Sequence, residues 1–165
     1  MTKIVIKLLE ADINESQQTI KKLYLLAEKD EIVQLFDSKL VLSELQLKAG
    51  LKKTRLLQKQ GEMKANNVNL EFLRVCLGKS QIGDALKMND LEKAEKLVLF
   101  AFIKGNEKKI DDFVKNELNA KELNLKDIEK DFRKKALAFG ITEKELEIVS
   151  GKENLLILER IAITK

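Results

Sequence analysis

The chain has 165 residues, 44% of them apolar and 35% charged, with 31 Lys and Arg against 27 Asp and Glu, no His, no Pro, no Trp and one Cys. Without His there is no Ser-His-Asp triad, no His general base and no His metal ligand, and Cys76 alone can form neither an intrachain disulfide nor a paired-Cys zinc or redox site. The length suits a single domain over 1–165, and the net charge of +4 is only mildly basic.

In chain order, Ile4, Ile6 and Leu8 alternate with Val5, Lys7 and Leu9, which predicts a strand over 3–9. Asn14 with Gln17 has the spacing of a capping box ahead of a helix over 15–29, whose apolar stripe is Ile20, Leu23, Tyr24 and Ala27. A short β-prone run follows at 31–36. Ser43 opens a second helical pattern carrying Leu45, Leu51, Leu56 and Leu57, which Gly61 ends. Gly50 weakens this helix by roughly 1 kcal/mol relative to Ala. Residues 69–77 are largely apolar, with Glu71 and Arg74 as the only charges, and read as a buried helix. Gly78 breaks it, and a helical pattern resumes over 79–88 with Ile82, Ala85 and Leu86 on one side.

The run 96–103 is almost entirely apolar and predicts a central strand. A helix is expected over 107–118, with Ile110, Phe113 and Val114 inward, then a short strand over 121–125. Asn124 can cap the next helix, whose buried stripe is Ile128, Phe132, Ala136 and Phe139. Gly140 is placed as a helix-ending glycine. Thr142 with Glu145 and Ser150 with Glu153 both have capping-box spacing, and a last helix over 153–163 is expected to bury Leu155, Leu158, Ile161 and Ala162. The sum is a helix-rich mixed α+β fold with three or four strands and six or seven helices.

The charge is unevenly distributed. Lys48, Lys52, Lys53, Arg55, Lys59 and Lys64 face the single acid Glu62, so residues 48–64 carry +5 and the rest of the chain −1. Two readings stand: a footprint for a polyphosphate partner, or a solvated helix face rich in lysine. Arginine occurs only at positions 55, 74, 133 and 160, so bidentate phosphate recognition is scarce.

Signs of catalysis are few. Gly78-Lys79-Ser80 has the ending of a phosphate-binding loop but lacks its upstream glycine and follows a helix. Asp111-Asp112 sits where a helix start favours acids. Cys76 lies in an apolar run and reads as a structural thiol. No metal ligand set or cofactor motif is present, and aromatics do not interleave with the basic stretch as they do in stacking RNA binders. No run approaches the ~18–20 apolar residues of a membrane span, and residues 1–10 do not read as a signal peptide, so an intracellular, cytoplasmic location is expected, nuclear as well in a eukaryote.

Within 69–87, Glu71, Arg74, Gly78, Gln81, Ile82, Ala85 and Leu86 match a helix–Gly–helix pattern. It resembles that of the PRPK-binding protein (TPRKB-type) subunit of the KEOPS complex. Leu77 stands where that family often has Ser, and Ser80 where it often has Arg. The layout is similar over about 32–164. The resemblance implies a non-catalytic subunit supporting threonylcarbamoyladenosine modification of tRNA, docked on the complex's kinase/ATPase subunit and engaging the tRNA 3′ CCA end, with no cofactor, metal, membrane or small-molecule substrate.

On that reading Lys52, Lys53, Arg55 and Lys59 position tRNA phosphates, and Asn69, Glu71, Arg74, Lys79, Ser80 and Gln81 shape the site for the strand end. The alternative is a purely protein-binding adapter using Ile82, Leu86, Leu155, Leu158 and Ile161. An enzyme reading has no nucleophile–base pair to nominate.

Overall fold

The longest wholly apolar run in the chain, residues 97–103, lies inside a sheet. A computed structural model describes residues 1–165. Its four strands, β1 (Thr2–Glu10), β2 (Ile32–Asp37), β3 (Lys96–Lys104) and β4 (Lys121–Leu123), form one antiparallel sheet in the order β2-β3-β1-β4. β3 is therefore an interior strand, as its sequence predicts. Its registers are Thr2↔Lys104 through Glu10↔Lys96 with β1 and Ile32↔Phe102 through Asp37↔Leu97 with β2. The class is helix-rich mixed α+β, with eight α-helices rather than six or seven.

The chain divides into two compact units, Met1–Ser38 with Asn89–Asp127, and Lys39–Met88 with Ile128–Lys165. The first holds the sheet, α1 (Ser16–Tyr24) and α5 (Lys108–Asp112). Strand alternation puts Val5 and Leu9, Val33 and Leu35, and Leu97, Leu99, Ala101 and Ile103 into one cluster with Leu23, Ile110, Phe113, Val114 and Leu118. Glu31 is buried beside this core. Its carboxylate accepts the backbone N–H groups of Lys104 (2.7 Å) and Glu28 (2.9 Å) and pairs with the Lys109 ammonium at 2.7 Å. Burial pushes its pKa up, but these donors outweigh burial and hold it below the usual carboxylate value.

Two expectations fail in this unit for physical reasons. The helix predicted over 15–29 stops at Tyr24, and the Asn14–Gln17 capping box is not formed. A carboxylate remote in sequence takes over the cap: the Ser16 N–H and hydroxyl donate to Glu92 Oε1 at 3.2 and 3.4 Å. The helix predicted over 107–118 widens after α5 into a π-helical turn, Phe113–Glu117, closed by Leu118 N–H donating to the Phe113 carbonyl at 3.1 Å. The wider turn brings residues five apart onto one side, so Phe113, Val114 and Leu118 are all buried. Asp111 and Asp112 are taken up by ion pairs with Lys7 and Lys108.

The second unit is helical: α2 (Glu44–Gln60), α3 (Val68–Cys76), α4 (Ile82–Met88), α6 (Phe132–Ala138), α7 (Glu143–Ile148) and α8 (Asn154–Ala162). α2 packs against α3 and α8, and α3 against α4. Ser43 caps α2 through a 3.3 Å bond from the Gln46 N–H, and Gly61 ends it at φ +71°. Gln46 is buried with its amide fully used. It accepts from Leu42 N–H (2.8 Å) and donates to the carbonyls of Leu40 and Cys76 (both 3.0 Å). Thr142 and Glu145 form the expected capping box. Their bonds and Arg160 hold the Glu145 carboxyl down to about 2, led by the hydrogen bond from the Thr142 N–H.

The other expected box, Ser150–Glu153, is not formed. Glu153 instead accepts the Gly151 N–H at 3.0 Å, and α8 starts at Asn154. The buried stripe of α8 is also rotated from the expected one: Leu156, Ile157 and Ile161 are buried, whereas Leu155 and Ala162 are exposed. In α6, Ala136 and Phe139 are buried as expected and Phe132 is half-buried.

Gly50 of α2 packs directly against Cys76 of α3. A Cβ added there would lie 2.2 Å from Cys76 Sγ, so the glycine is a packing requirement that overrides its poor helix propensity. Gly50→Ala is therefore expected to destabilise the protein by about 1–3 kcal/mol, although alanine is the better helix former. Adding Cys76→Ala should recover most of that loss, as measured by urea unfolding of both single variants and the double variant. Independent, additive effects would show that the two residues do not meet.

Candidate nucleic-acid interface

Helix α3 has seven of its nine residues buried, Glu71 and Arg74 among them. Charges so placed survive only as a satisfied pair. The i, i+3 spacing brings them together on one face: Arg74 Nη2 meets Glu71 Oε1 at 2.5 Å, and Nε meets Oε2 at 3.1 Å. The remaining capacity of each group reaches other segments. Glu71 accepts the N–H groups of Lys64 (3.3 Å) and Ala65 (3.0 Å), which follow α2. Arg74 Nη1 donates to the Lys79 carbonyl at 2.8 Å and to the main-chain oxygen of Lys165 at 3.0 Å. Burial pushes the Glu71 pKa up, but Arg74 and the two N–H groups more than offset it, so its net shift is downward. Burial pushes the neighbouring Cys76 thiol well above its ordinary value, which favours the protonated thiol.

The turn after α3 is built on Gly78 at φ +63°. Gly78 N–H donates to the Val75 carbonyl at 3.0 Å and Lys79 N–H to the Arg74 carbonyl at 3.1 Å, a glycine helix stop. Ser80 and Gln81 then lie exposed, with Lys79 half-buried. The Lys64 ammonium reaches over this turn to the Ser80 carbonyl at 3.4 Å.

The residues nominated from sequence separate into distinct groups. Lys52 and Lys59 are exposed on α2. Lys53 is half-buried and donates to the Ala162 carbonyl at 3.0 Å, so it also holds the end of α8. Arg55 is half-buried and donates to Gln58 at 2.7 Å. Asn69, Glu71 and Arg74 are buried, because α3 is an interior helix, so they shape the turn from beneath and do not form its outer surface. Among the apolar candidates, Ile82 and Leu86 share a face of α4, half-buried and exposed respectively, while Leu155 is exposed and Leu158 half-buried. Ile161 is 2% exposed and belongs to the core, a correction that follows from the rotated stripe of α8.

The lysines of α2 and of the turn after α3 have no carboxylate counter-ions, as is also true of about half the lysines of the first unit. In the first unit Lys3, Lys7, Lys22, Lys104, Lys108 and Lys109 each pair with a carboxylate. In the second unit Lys48, Lys52, Lys59, Lys64, Lys79 and Lys165 pair with none, while Arg74, Arg133 and Arg160 do form ion pairs. Lys165 was not nominated from sequence. Its placement depends on the bond from Arg74 to the main chain, which no local pattern reports.

A sequence model of the family described as "Kinase binding protein CGI-121" matches residues 11–165. A search of curated proteins finds no match.

Removing one member of the buried pair leaves the other charged and unpaired. Glu71→Gln and Arg74→Met are each expected to cost about 3–5 kcal/mol in urea unfolding. The pH dependence has a definite sign. Because the folded-state pKa of Glu71 is lowered from 4.5, its contribution is fully present above that value and is lost as pH falls through the folded-state pKa. Stability of Glu71→Gln should fall less steeply below pH 4.5 than that of the parent. Parallel acid limbs would show that Glu71 does not carry the effect.

Proposed function

Since the chain belongs to the CGI-121 family of kinase-binding proteins, the family of the PRPK-binding KEOPS subunit, we propose that it is a non-catalytic subunit of that complex. In this reading it docks on the kinase/ATPase subunit and recruits tRNA by its 3′ CCA end for threonylcarbamoyladenosine modification, in the cytoplasm and, in a eukaryote, also the nucleus. It needs no cofactor or metal. The transfer chemistry belongs to another subunit, and this chain contributes binding.

The observation that carries the tRNA half is the set of lysines in the second unit that pair with no carboxylate. Lys48, Lys52 and Lys59 recur along the exposed face of α2, where point-charge contacts to successive phosphates are geometrically available. Ser80 and Gln81, on the turn held by Arg74, offer neutral hydrogen-bonding groups for a strand end. Docking on the kinase subunit is assigned to Ile82 and Leu86 on α4 with Leu155 and Leu158 on α8. The exposed leucines in that set favour a second reading, an adapter of an atypical kinase that makes no RNA contact.

The two readings separate in one experiment. Lys48, Lys52 and Lys59 are changed together to Glu, leaving Lys53 in place because it holds the end of α8. Binding of deacylated tRNA, with and without its CCA end, is measured over a range of salt. The tRNA reading expects tighter binding of the CCA-bearing form and weaker binding by the triple variant. It also expects a slope of log affinity against log salt shallower by about 0.7–0.9 for each phosphate that the variant no longer neutralises. Unchanged affinity and slope, with no preference for the CCA end, would favour the protein-only adapter. Co-purification of the kinase subunit, weakened by Leu86→Arg, tests the docking half in either case.

A further inference from the structure

One stretch of the sheet has an unpaired edge long enough to take another strand. On β2 the outward main-chain groups are already used: Asn89 accepts the Asp37 N–H at 2.8 Å and donates to the Leu35 carbonyl at 2.9 Å, and residues 32–36 are all buried. β4 is only three residues long, too short to template a partner. On β1, β4 covers residues 8–10, whereas residues 2–7 have β3 on one side and no strand on the other.

An open edge is ordinarily guarded by charge. Here that charge is neutralised within the fold. The Lys3 ammonium pairs with Glu107 at 3.0 Å, and that of Lys7 with Asp111 and Glu122 at 3.1 Å each. By strand alternation both lysines share a face with Val5, and the opposite face carries the uncharged Thr2, Ile4 and Ile6. Ile4 is 41% exposed and Ile6 half-buried, opposite Phe102 and Phe100 of β3. The edge therefore offers free main-chain groups and an apolar flank, with no unpaired charge to select an oppositely charged strand.

We propose that this edge pairs antiparallel with the same edge of a second copy of the chain, joining two sheets into one. The boundary set by β4 fixes the register. A two-fold axis through Ile4 sets Ile4 opposite its own copy, Lys3 opposite Val5 and Thr2 opposite Ile6, so apolar groups meet and each face of the joined sheet keeps its character. An axis through Val5 would set Lys3 opposite Lys7 and Thr2 opposite Leu8, whose outer side β4 already holds. So short a pairing buries less than the roughly 1,200 Å² of a standard interface, and the dimer exchanges with monomer. The inference is independent of the tRNA reading.

The test is sedimentation velocity of the full-length chain over a wide range of concentration, where the parent should pass from monomer to dimer. Ile4→Lys alters an exposed side chain and puts like charges on the axis. It should keep the parent unfolding midpoint and weaken the dimer about tenfold or more. Ile4→Cys should cross-link to its own copy on mild oxidation, because directly opposite strand residues have Cα atoms about 4.5–5.5 Å apart, within disulfide reach. Cys76 is buried and serves as an internal control. Ile6→Cys alone should not cross-link, but should do so when mixed with Thr2→Cys.

A monomer at every concentration would overturn the proposal, as would a dimer that survives Ile4→Lys or an Ile6→Cys chain that cross-links to itself. A monomer whose β1 amides gain protection from hydrogen exchange only when the kinase subunit is added would overturn a second copy as the occupant and assign the edge to that partner's strand.

Discussion

The second unit depends on one buried ion pair. Glu71 and Arg74 between them bind the segment after α2, the turn after α3 and the segment after α8, four stretches of chain counting α3 itself. Isolated burial of either charge would be prohibitive, and even a good pair roughly breaks even against an apolar substitute. Its value here lies in geometry. A guanidinium has five N–H donors in fixed directions, so each carbonyl it binds has a defined place. An apolar pair of the same volume could fill the space but could not specify the path of the loops around it. Gln46 works the same way at smaller scale, tying α2 to the Leu40 and Leu42 segment and to the end of α3.

The parts of this fold that were legible in the sequence are those decided locally. β1 and β3 follow from β-branched and apolar runs. Gly61, Gly78 and Gly140 all adopt the positive φ that a helix end requires. Ser43 and Thr142 cap the helices they precede. What was not legible was decided at a distance. Ser16 is capped by Glu92, seventy-six residues away. Gly50 is explained by Cys76 on another helix. The stripe of α8 was misplaced because four consecutive apolar residues, Leu155 to Leu158, leave a helical period undetermined. The site shows the same division. The basic run on α2 was visible as composition, and Glu71 and Arg74 stood out as the only charges in an apolar helix. Their burial, and the arrival of Lys165 beside Lys79, required the tertiary structure.

A net charge of +4 hides two different regimes. In the first unit many lysines are matched with acids, as in Lys7 with Asp111 and Glu122 or Lys109 with Glu31. Such pairs hold surface segments in place and leave little field. In the second unit Arg74, Arg133 and Arg160 make ion pairs, and the lysines of α2 and of the Gly78 turn stay unmatched. The division suits the chemistry of the two side chains. The planar fork of arginine makes a fixed structural joint, and a strongly hydrated ammonium on a flexible stem is the better mobile point charge for an anionic surface.

The strand order β2-β3-β1-β4 also dictates how the chain can be made. β1 leaves the ribosome ahead of the other strands and is among the last to find partners, since Thr2 pairs with Lys104 and Leu8 with Leu123. At translation speeds of about 5–20 residues per second, β1 waits on the order of 5–20 seconds for β3 to be synthesised. Throughout that interval Ile4, Val5, Ile6, Leu8 and Leu9 form an unpaired apolar ribbon. Lys3 and Lys7 interrupt it with charge, the pattern that discourages association of exposed strands, and both become ion-pair partners in the finished sheet.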